Sequence, residues 1–560
     1  MTFLARVCRM ILAVAGSALF PLGRADAAQY PNPALQESSK AAQTFKIAGT
    51  VVSSTTGAPL SQARISVAET RDPAKVASLI TSEDGHFEFS QLKPGKYSLQ
   101  GAKRGFISAA YEQHEQFSTA IVTGPEFSTN QLVLRLTPTA LITGHVLDEF
   151  GDPVRSALVL LYFEAHSEGM SRIISFSSSS SDDRGFYDFS LLRPGKYYVS
   201  VTAKPWYAIH PAAALNAAAN PAQHIPAALD VAYPATFYGG ATESDRATPI
   251  DVKGGDQLQI DVHLNPVPAL HLVFRVPEEQ ANNFRMPMLQ KHVFDSVQFV
   301  QTEGANQVAP GVYELTGLPP GRYSARMKNS NSGQVEQSSD LDLVHDGQEL
   351  NASRGESLGT LKLTLKMLGE EALPKRFVIG LQDSRRRFAA FKDGDSSGQV
   401  SFEELAPGRY AILVASAPKP YSVVRTSSQA GEFPGHDVNV TPGAALELTA
   451  SLAVGIVSIE GAVQKKDKPL AGVMVALVPK DPEAHVELFR RDQSDFDGTF
   501  VLRGVIPGSY TIVAVEDAWG FDWLQPGVLA RYVQYGQNVI IGERMQGTVH
   551  LPDAVEVQPH

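Results

Sequence analysis

The chain has 560 residues, a net charge of −11, 43% hydrophobic residues and one cysteine, Cys8. An acidic chain without Lys/Arg clusters excludes nucleic acid as an expected partner. A single cysteine at the extreme N-terminus excludes disulfides and thiolate chemistry from the rest of the chain.

The first 27 residues read as a secretory signal. Arg6 and Arg9 precede an apolar run, Met10 to Phe20, which is too short to span a bilayer. Ala25-Asp26-Ala27 is a suitable cleavage site. Its removal takes away Arg6, Arg9, Arg24 and Asp26 and moves the net charge to −13. Residues 28–43 are polar and Ala-rich and are expected to form a disordered leader. No later segment is apolar enough to span a membrane. The mature chain is therefore expected to be a soluble protein of the periplasm, the cell surface or the extracellular space.

From residue 44 one pattern recurs five times: Gly-x-Φ-x-Φ-x-x-Φ-x-Pro-Gly-x-Tyr, with Φ apolar. The copies are Gly85, Pro94, Gly95, Tyr97; Gly185, Pro194, Gly195, Tyr197; Gly311, Pro320, Gly321, Tyr323; Gly398, Pro407, Gly408, Tyr410; and Gly498, Pro507, Gly508, Tyr510. The prolines are 100, 126, 87 and 100 residues apart, which means a tandem array of one small domain. Each copy reads as a turn with positive φ at the opening Gly, a strand alternating in and out (Phe87 and Phe89 in the first), a Pro-Gly turn with its Gly also at positive φ, and a second strand. The tyrosine is expected to bury its ring and bond its hydroxyl to nearby backbone, as a corner tyrosine does.

A weaker pattern opens three repeats: Gly49 with Pro59-Leu60, Gly144 with Pro153-Val154, and Gly461 with Pro469-Leu470. Alternating strands follow at Ile65 and Val67, at Leu158 and Leu160, and at Val473, Val475 and Leu477. About seven short strands per repeat with frequent turns describe a β-sandwich. The expected division is 44–138, 139–266 (with an Ala/Pro-rich insertion whose alanines can form a short helix), 267–355, 356–453 and 454–560. Five separable units that couple mainly to sequence neighbours are expected, with boundaries near 138, 267, 356 and 454.

The stretch from Gly49 through Gly85 to Tyr97 resembles the carboxypeptidase regulatory-like domain. Repeats one, two and five resemble it closely; three and four match mainly at the Gly to Pro-Gly-x-Tyr core. The resemblance implies an all-β array of transthyretin-like (prealbumin-like) seven-stranded sandwiches, a fold also grouped with carbohydrate-binding modules. It implies carbohydrate as the ligand class; the competing expectation is an envelope protein, with this chain an accessory to an exported peptidase or outer-membrane transporter. Oligomeric state stays open.

No His-x-x-Glu or His-Glu-x-x-His occurs, and His114-Glu115 and His485-Val486-Glu487 have the wrong spacing for a zinc peptidase. Gly355-Glu356-Ser357-Leu358-Gly359 fits Gly-x-Ser-x-Gly but is followed by a strand, where a nucleophile elbow needs a helix. No enzyme activity and no cofactor are expected. Carboxylates crowd the turn before the motif Gly, and Asp393, Asp395, Asp495 and Asp497 are the candidates for Ca²⁺, against the plainer role of turn residues. Phe106, Trp206 and Trp519 each lie nine residues after a motif tyrosine. They are expected either to pack at a strand end or to offer a platform to a sugar or peptide. For the platform, Trp519 and Trp523 are the first pair, with Asp522 as hydroxyl acceptor, and Trp206 and Tyr207 the second.

Overall fold

A computed structural model describes residues 43–560 except 168, 211–226, 276–287, 301, 303–304, 329–334, 352–355, 370, 430 and 526. The expected signal peptide, the leader up to residue 42 and most of the Ala-rich insertion lie outside the described residues. The described part of that insertion holds a 3₁₀ turn, Ala227–Leu229.

The protein is all-β. Five times, two sheets face each other across an apolar core. In the first sandwich Phe45–Ser53 pairs antiparallel with His86–Leu92 and parallel with Leu132–Pro138. The facing sheet holds Asp72–Ile80, Arg64–Glu69 and Gly95–Ala102 side by side. The same parallel closure recurs for Ala140–Leu147, Leu270–Arg275, Gly359–Met367 and Val457–Lys465. It explains two of the opening glycines. A Cβ on Gly49 would lie 2.0 Å from the Leu132 carbonyl oxygen, and one on Gly144 would lie 1.8 Å from that of Ile260. The parallel neighbour leaves room only for hydrogen.

The recurrent motif has one geometry in all five copies. Its opening Gly has φ of +69° to +76°. In four copies the Gly carbonyl accepts from the opening strand, as at Val51 N (2.9 Å) and Val463 N (2.8 Å). Each tyrosine ring is buried. Each hydroxyl donates to the carbonyl four residues back: Tyr97 to Lys93 (3.1 Å), Tyr197 to Arg193 (2.9 Å), Tyr323 to Pro319 (2.6 Å), Tyr410 to Ala406 (2.7 Å) and Tyr510 to Ile506 (2.7 Å). That bond ties down the carbonyl preceding the motif proline. Burial raises the Tyr510 hydroxyl to about 12.

The Pro-Gly step differs from the expectation. Gly95, Gly408 and Gly508 do not take positive φ; they begin the next strand. The left-handed residue lies earlier, six positions after the opening Gly: Gln91 (+59°), Leu191 (+58°), Gly317 (+74°), Glu404 (+60°) and Gly504 (+68°). Opposite it the opening strand slips register, between Phe45 and Ile47 in the first copy and equivalently in the others. A β-bulge therefore re-aims each motif strand before the Pro-Gly bend, while Gly195 (+149°) and Gly321 (+152°) keep the expected positive φ at the bend itself.

Several strands bury both faces, among them Leu158–Ser167, Met474–Pro479 and Gly508–Val515. In Leu158–Ser167 the residues facing their own core are Val159 and Leu161, one off the expected Leu158 and Leu160. Tyr162 and Leu160 point into a second cluster with Phe237, Val293 and Phe294. Met474–Pro479 is buried at every position. Val475 and Leu477 face the fifth core, while Met474, Ala476 and Val478 pack with Trp519 and Trp523. Continuous apolar runs at these places signal cover on two sides.

These second faces hold the sandwiches together, and residues 44–560 cluster as one compact unit. The first sandwich packs on the fifth. Arg491 forms a bidentate pair with Glu115 (2.8 and 3.1 Å), and their side chains are 5% and 14% exposed. Coupling thus also runs between the first and fifth repeats, which are not sequence neighbours.

Candidate functional site

Trp519 and Trp523 sit at that junction, not at the surface. Trp519 follows the strand Gly508–Val515 through a short 3₁₀ turn, Ala518–Gly520. Its ring lies 5.1 Å from His114 of the first sandwich at an interplanar angle of 5°, and its Nε1 donates to the Gly472 carbonyl (3.1 Å). Trp523 lies under the Arg491 guanidinium (4.6 Å) and against Phe489 (5.1 Å). The tip of the second sandwich closes over it: a Cβ on Gly169 would come within 2.3 Å of the indole. Asp522 accepts from Ser171 Oγ (3.0 Å), and His166 Nε2 lies 2.6 Å from the Phe521 carbonyl oxygen. The expected open platform is corrected here: both rings are under 10% exposed because two other sandwiches cover the loop.

Three of the four expected calcium carboxylates, Asp395, Asp495 and Asp497, are engaged. Lys96 of the first sandwich donates to Asp495 (2.6 Å) and contacts Asp497 and Thr499. Asp495 also accepts from Ala120 N (3.0 Å), and Asp497 accepts from Thr499 N (3.1 Å). Asp395 accepts from Ser397 N (2.8 Å), and hydrogen bonds from Ser397 hold its carboxyl below its ordinary value. Asp393 lies in the strand Phe388–Gly394, paired with Val378. The turn role accounts for Asp395 and Asp497, and a lysine already supplies the cation at Asp495.

Ser357 lies in a two-residue strand followed directly by Gly359–Met367, with no strand-to-helix turn. Phe106, the third aromatic of the series, is half-buried on the first core.

Trp206 is different. Its side chain is 88% exposed, the most open large apolar group of the described residues. Tyr207 stands edge-on to it, with centroids 5.8 Å apart at 86°. The Tyr207 hydroxyl bonds one oxygen of Glu149, and Tyr233 donates to the other (2.7 Å). Burial pushes the Glu149 carboxyl up, but the two tyrosine hydrogen bonds outweigh it and leave the group below its ordinary value. Burial and the Glu149 bond push Tyr207 up to about 12. Phe150, next in sequence to Glu149, is 77% exposed. The result is an indole presented to solvent on a braced base: Tyr207 is locked by a carboxylate that stays ionised at neutral pH.

A cleft of about 1280 Å³ opens where the first, second, fourth and fifth sandwiches meet. Phe388 and Phe391 form one wall, with ring centroids 4.7 Å apart. His436 and Glu487 form part of another. Sequence spacing gave no sign of this cleft, since its walls come from residues up to about four hundred positions apart.

Residues 46–126 match the carboxypeptidase regulatory-like domain family. Among solved structures, the chain is similar to the TIE protein of Bacillus anthracis, at 11% identity over 74% of this chain and 76% of that one, with a TM-score of 0.18. It is similar to BcpA, the major pilin subunit of Bacillus cereus, at 10% identity over 73% and 99%, with a TM-score of 0.14. A third is the pair of B repeat units of the collagen binding protein of Staphylococcus aureus, at 11% identity over 73% and 99%, with a TM-score of 0.13. No curated protein matches the chain. No helix of the described residues is long and apolar enough to cross a membrane.

Proposed function

We propose that this chain is an exported, non-catalytic sandwich array of the cell envelope that binds carbohydrate at Trp206. The observation that carries this reading is the exposed indole on its Tyr207–Glu149 brace. A flat apolar ring open to solvent stacks on the apolar face of a pyranose and needs no deep pocket. A braced ring loses little conformational freedom on binding, so more of the contact energy appears as affinity. The remaining tryptophans bind no ligand; they hold the array together.

A glycan array probed with the intact chain and with Trp206→Ala tests the reading. Sugar binding that disappears in the variant, with thermal unfolding unchanged, supports it. Binding that survives the substitution removes Trp206 from the site. If no glycan is retained by either protein, the ligand is not carbohydrate, and the competing reading, a docking surface for an envelope protein, takes its place.

A further inference from the structure

We propose that His436, His485 and Glu487 form a binding site for a divalent transition cation of the zinc class, joining the fourth sandwich to the fifth. One ligand atom from each residue lies within 4.8 Å of the other two. Glu487 Oε1 is 3.6 Å from His436 Nδ1 and 3.5 Å from His485 Nδ1. Both distances exceed hydrogen-bond reach. They fit two ligand atoms on one tetrahedral ion. With metal–ligand bonds of about 2.0–2.1 Å, such neighbours stand about 3.4 Å apart.

A second observation points the same way. His436 is 7% exposed, and its buried Nδ1 has no hydrogen-bond partner. An imidazole nitrogen buried without a partner is costly, and it is directed at a carboxylate that also falls short of bonding it. A cation at the common centre satisfies all three atoms at once.

The backbone holds the donors from both sides. The His436 carbonyl accepts from Ile412 N (2.8 Å), which fixes its place beside the strand Asp437–Val440. His485 and Glu487 flank Val486 at the 3₁₀ turn Val486–Leu488. The half-buried Arg490 donates to the Glu487 backbone carbonyl (2.8 Å), to that of Phe489 (2.7 Å) and, through Nε, to that of Gly504 (2.8 Å). Its charge is spent on carbonyls and leaves the Glu487 carboxylate without a hydrogen-bonded cation. The His485 side chain is 40% exposed, and the wall of His436 and Glu487 borders the cleft, so water reaches the fourth coordination position. Histidine with carboxylate favours zinc, copper or nickel over calcium or magnesium.

Isothermal titration of the intact chain with Zn²⁺ alone, repeated on His485→Ala and Glu487→Gln, tests the site. His485 is half-exposed, so its truncation leaves the fold intact even where His436→Ala does not. The expected result is one site per chain, at least tenfold weaker in either variant, with a thermal unfolding temperature that Zn²⁺ raises in the parent and not in the variants. Replacement by Co²⁺ should give visible absorption bands that vanish in both variants. No Zn²⁺ binding by the parent, or binding of equal strength in all three proteins, overturns the proposal.

Discussion

At the scale of single residues, the motif glycines divide by conformation. Gly85 has φ +74°, and an added Cβ would lie 2.7 Å from the Val51 carbonyl oxygen. Gly95 lies outside the positive-φ region, with nothing nearer than 3.9 Å. Gly85→Ala should therefore cost about 1–3 kcal/mol, from left-handed strain plus the clash. Gly95→Ala should stay within about 0.5 kcal/mol. Urea denaturation of both variants checks this; equal losses would mean the turn is strained elsewhere.

Asp492 gives a pH-dependent prediction at the same scale. Burial pushes its carboxyl up to about 6, although it accepts from Val501 N (2.6 Å). A folded value above the unfolded one, about 3.9, means that the ionised form opposes folding. This contribution destabilises above pH 6 and fades as pH falls from 6 towards 4. Asp492→Asn keeps an acceptor for Val501 and removes the charge. It should stabilise the protein on the order of 1–3 kcal/mol at pH 8 and make little difference near pH 4. Parallel unfolding temperatures at the two pH values decide it, and a constant difference would assign the effect to packing.

At the scale of elements, the bulge is the feature that sequence patterns conceal. Its left-handed residue is Gly in two copies and Gln91, Leu191 and Glu404 in the others. A non-glycine residue there carries strain of roughly 1–2 kcal/mol. Gln91→Gly relieves that strain but adds unfolded-state entropy, so a net change within about 1 kcal/mol is expected. Gly504→Ala should be costlier. Its Cβ would meet Pro420 of the fourth sandwich at 2.2 Å, so strain within the strand adds to a clash between sandwiches. Differential scanning calorimetry of the pair should show Gly504→Ala the more damaging by more than about 1 kcal/mol; the reverse order would place the strain in the bulge alone.

For the whole molecule, the first and fifth sandwiches are joined through a nearly buried ion pair and a tryptophan-rich cluster. Breaking one partner of such a pair costs about 3–5 kcal/mol, because a buried charge is left unpaired. Arg491→Ala also removes the cation over Trp523 and Phe117. It should open the junction between sandwiches nearly four hundred residues apart. Limited proteolysis should then cut the variant near residue 138 under conditions that leave the parent whole. Tryptophan emission should shift to the red as Trp519 and Trp523 meet water. Identical digestion of the two proteins would show that the junction adds no protection.

The motif geometry follows from short-range chemistry. Gly after an acidic turn, alternation at Phe87 and Phe89, and a tyrosine three residues past proline place turn, strand and corner from neighbours within about a dozen residues, so five copies were readable without a structure. The candidate site was less legible. Trp206 and Trp519 occupy the same position after the motif, and spacing cannot separate them; one faces solvent and the other is covered by His114 and Phe117, which lie 405 and 402 residues away in sequence. His485 and Glu487 lacked a third ligand until the fold brought His436 from another sandwich. The all-β repeat was thus determined by the sequence alone, because local backbone preference and alternation specify each sandwich. Which aromatics are buried, which carboxylates meet a lysine and which histidines converge was decided by packing between sandwiches, where surface complementarity over hundreds of residues leaves no periodic trace.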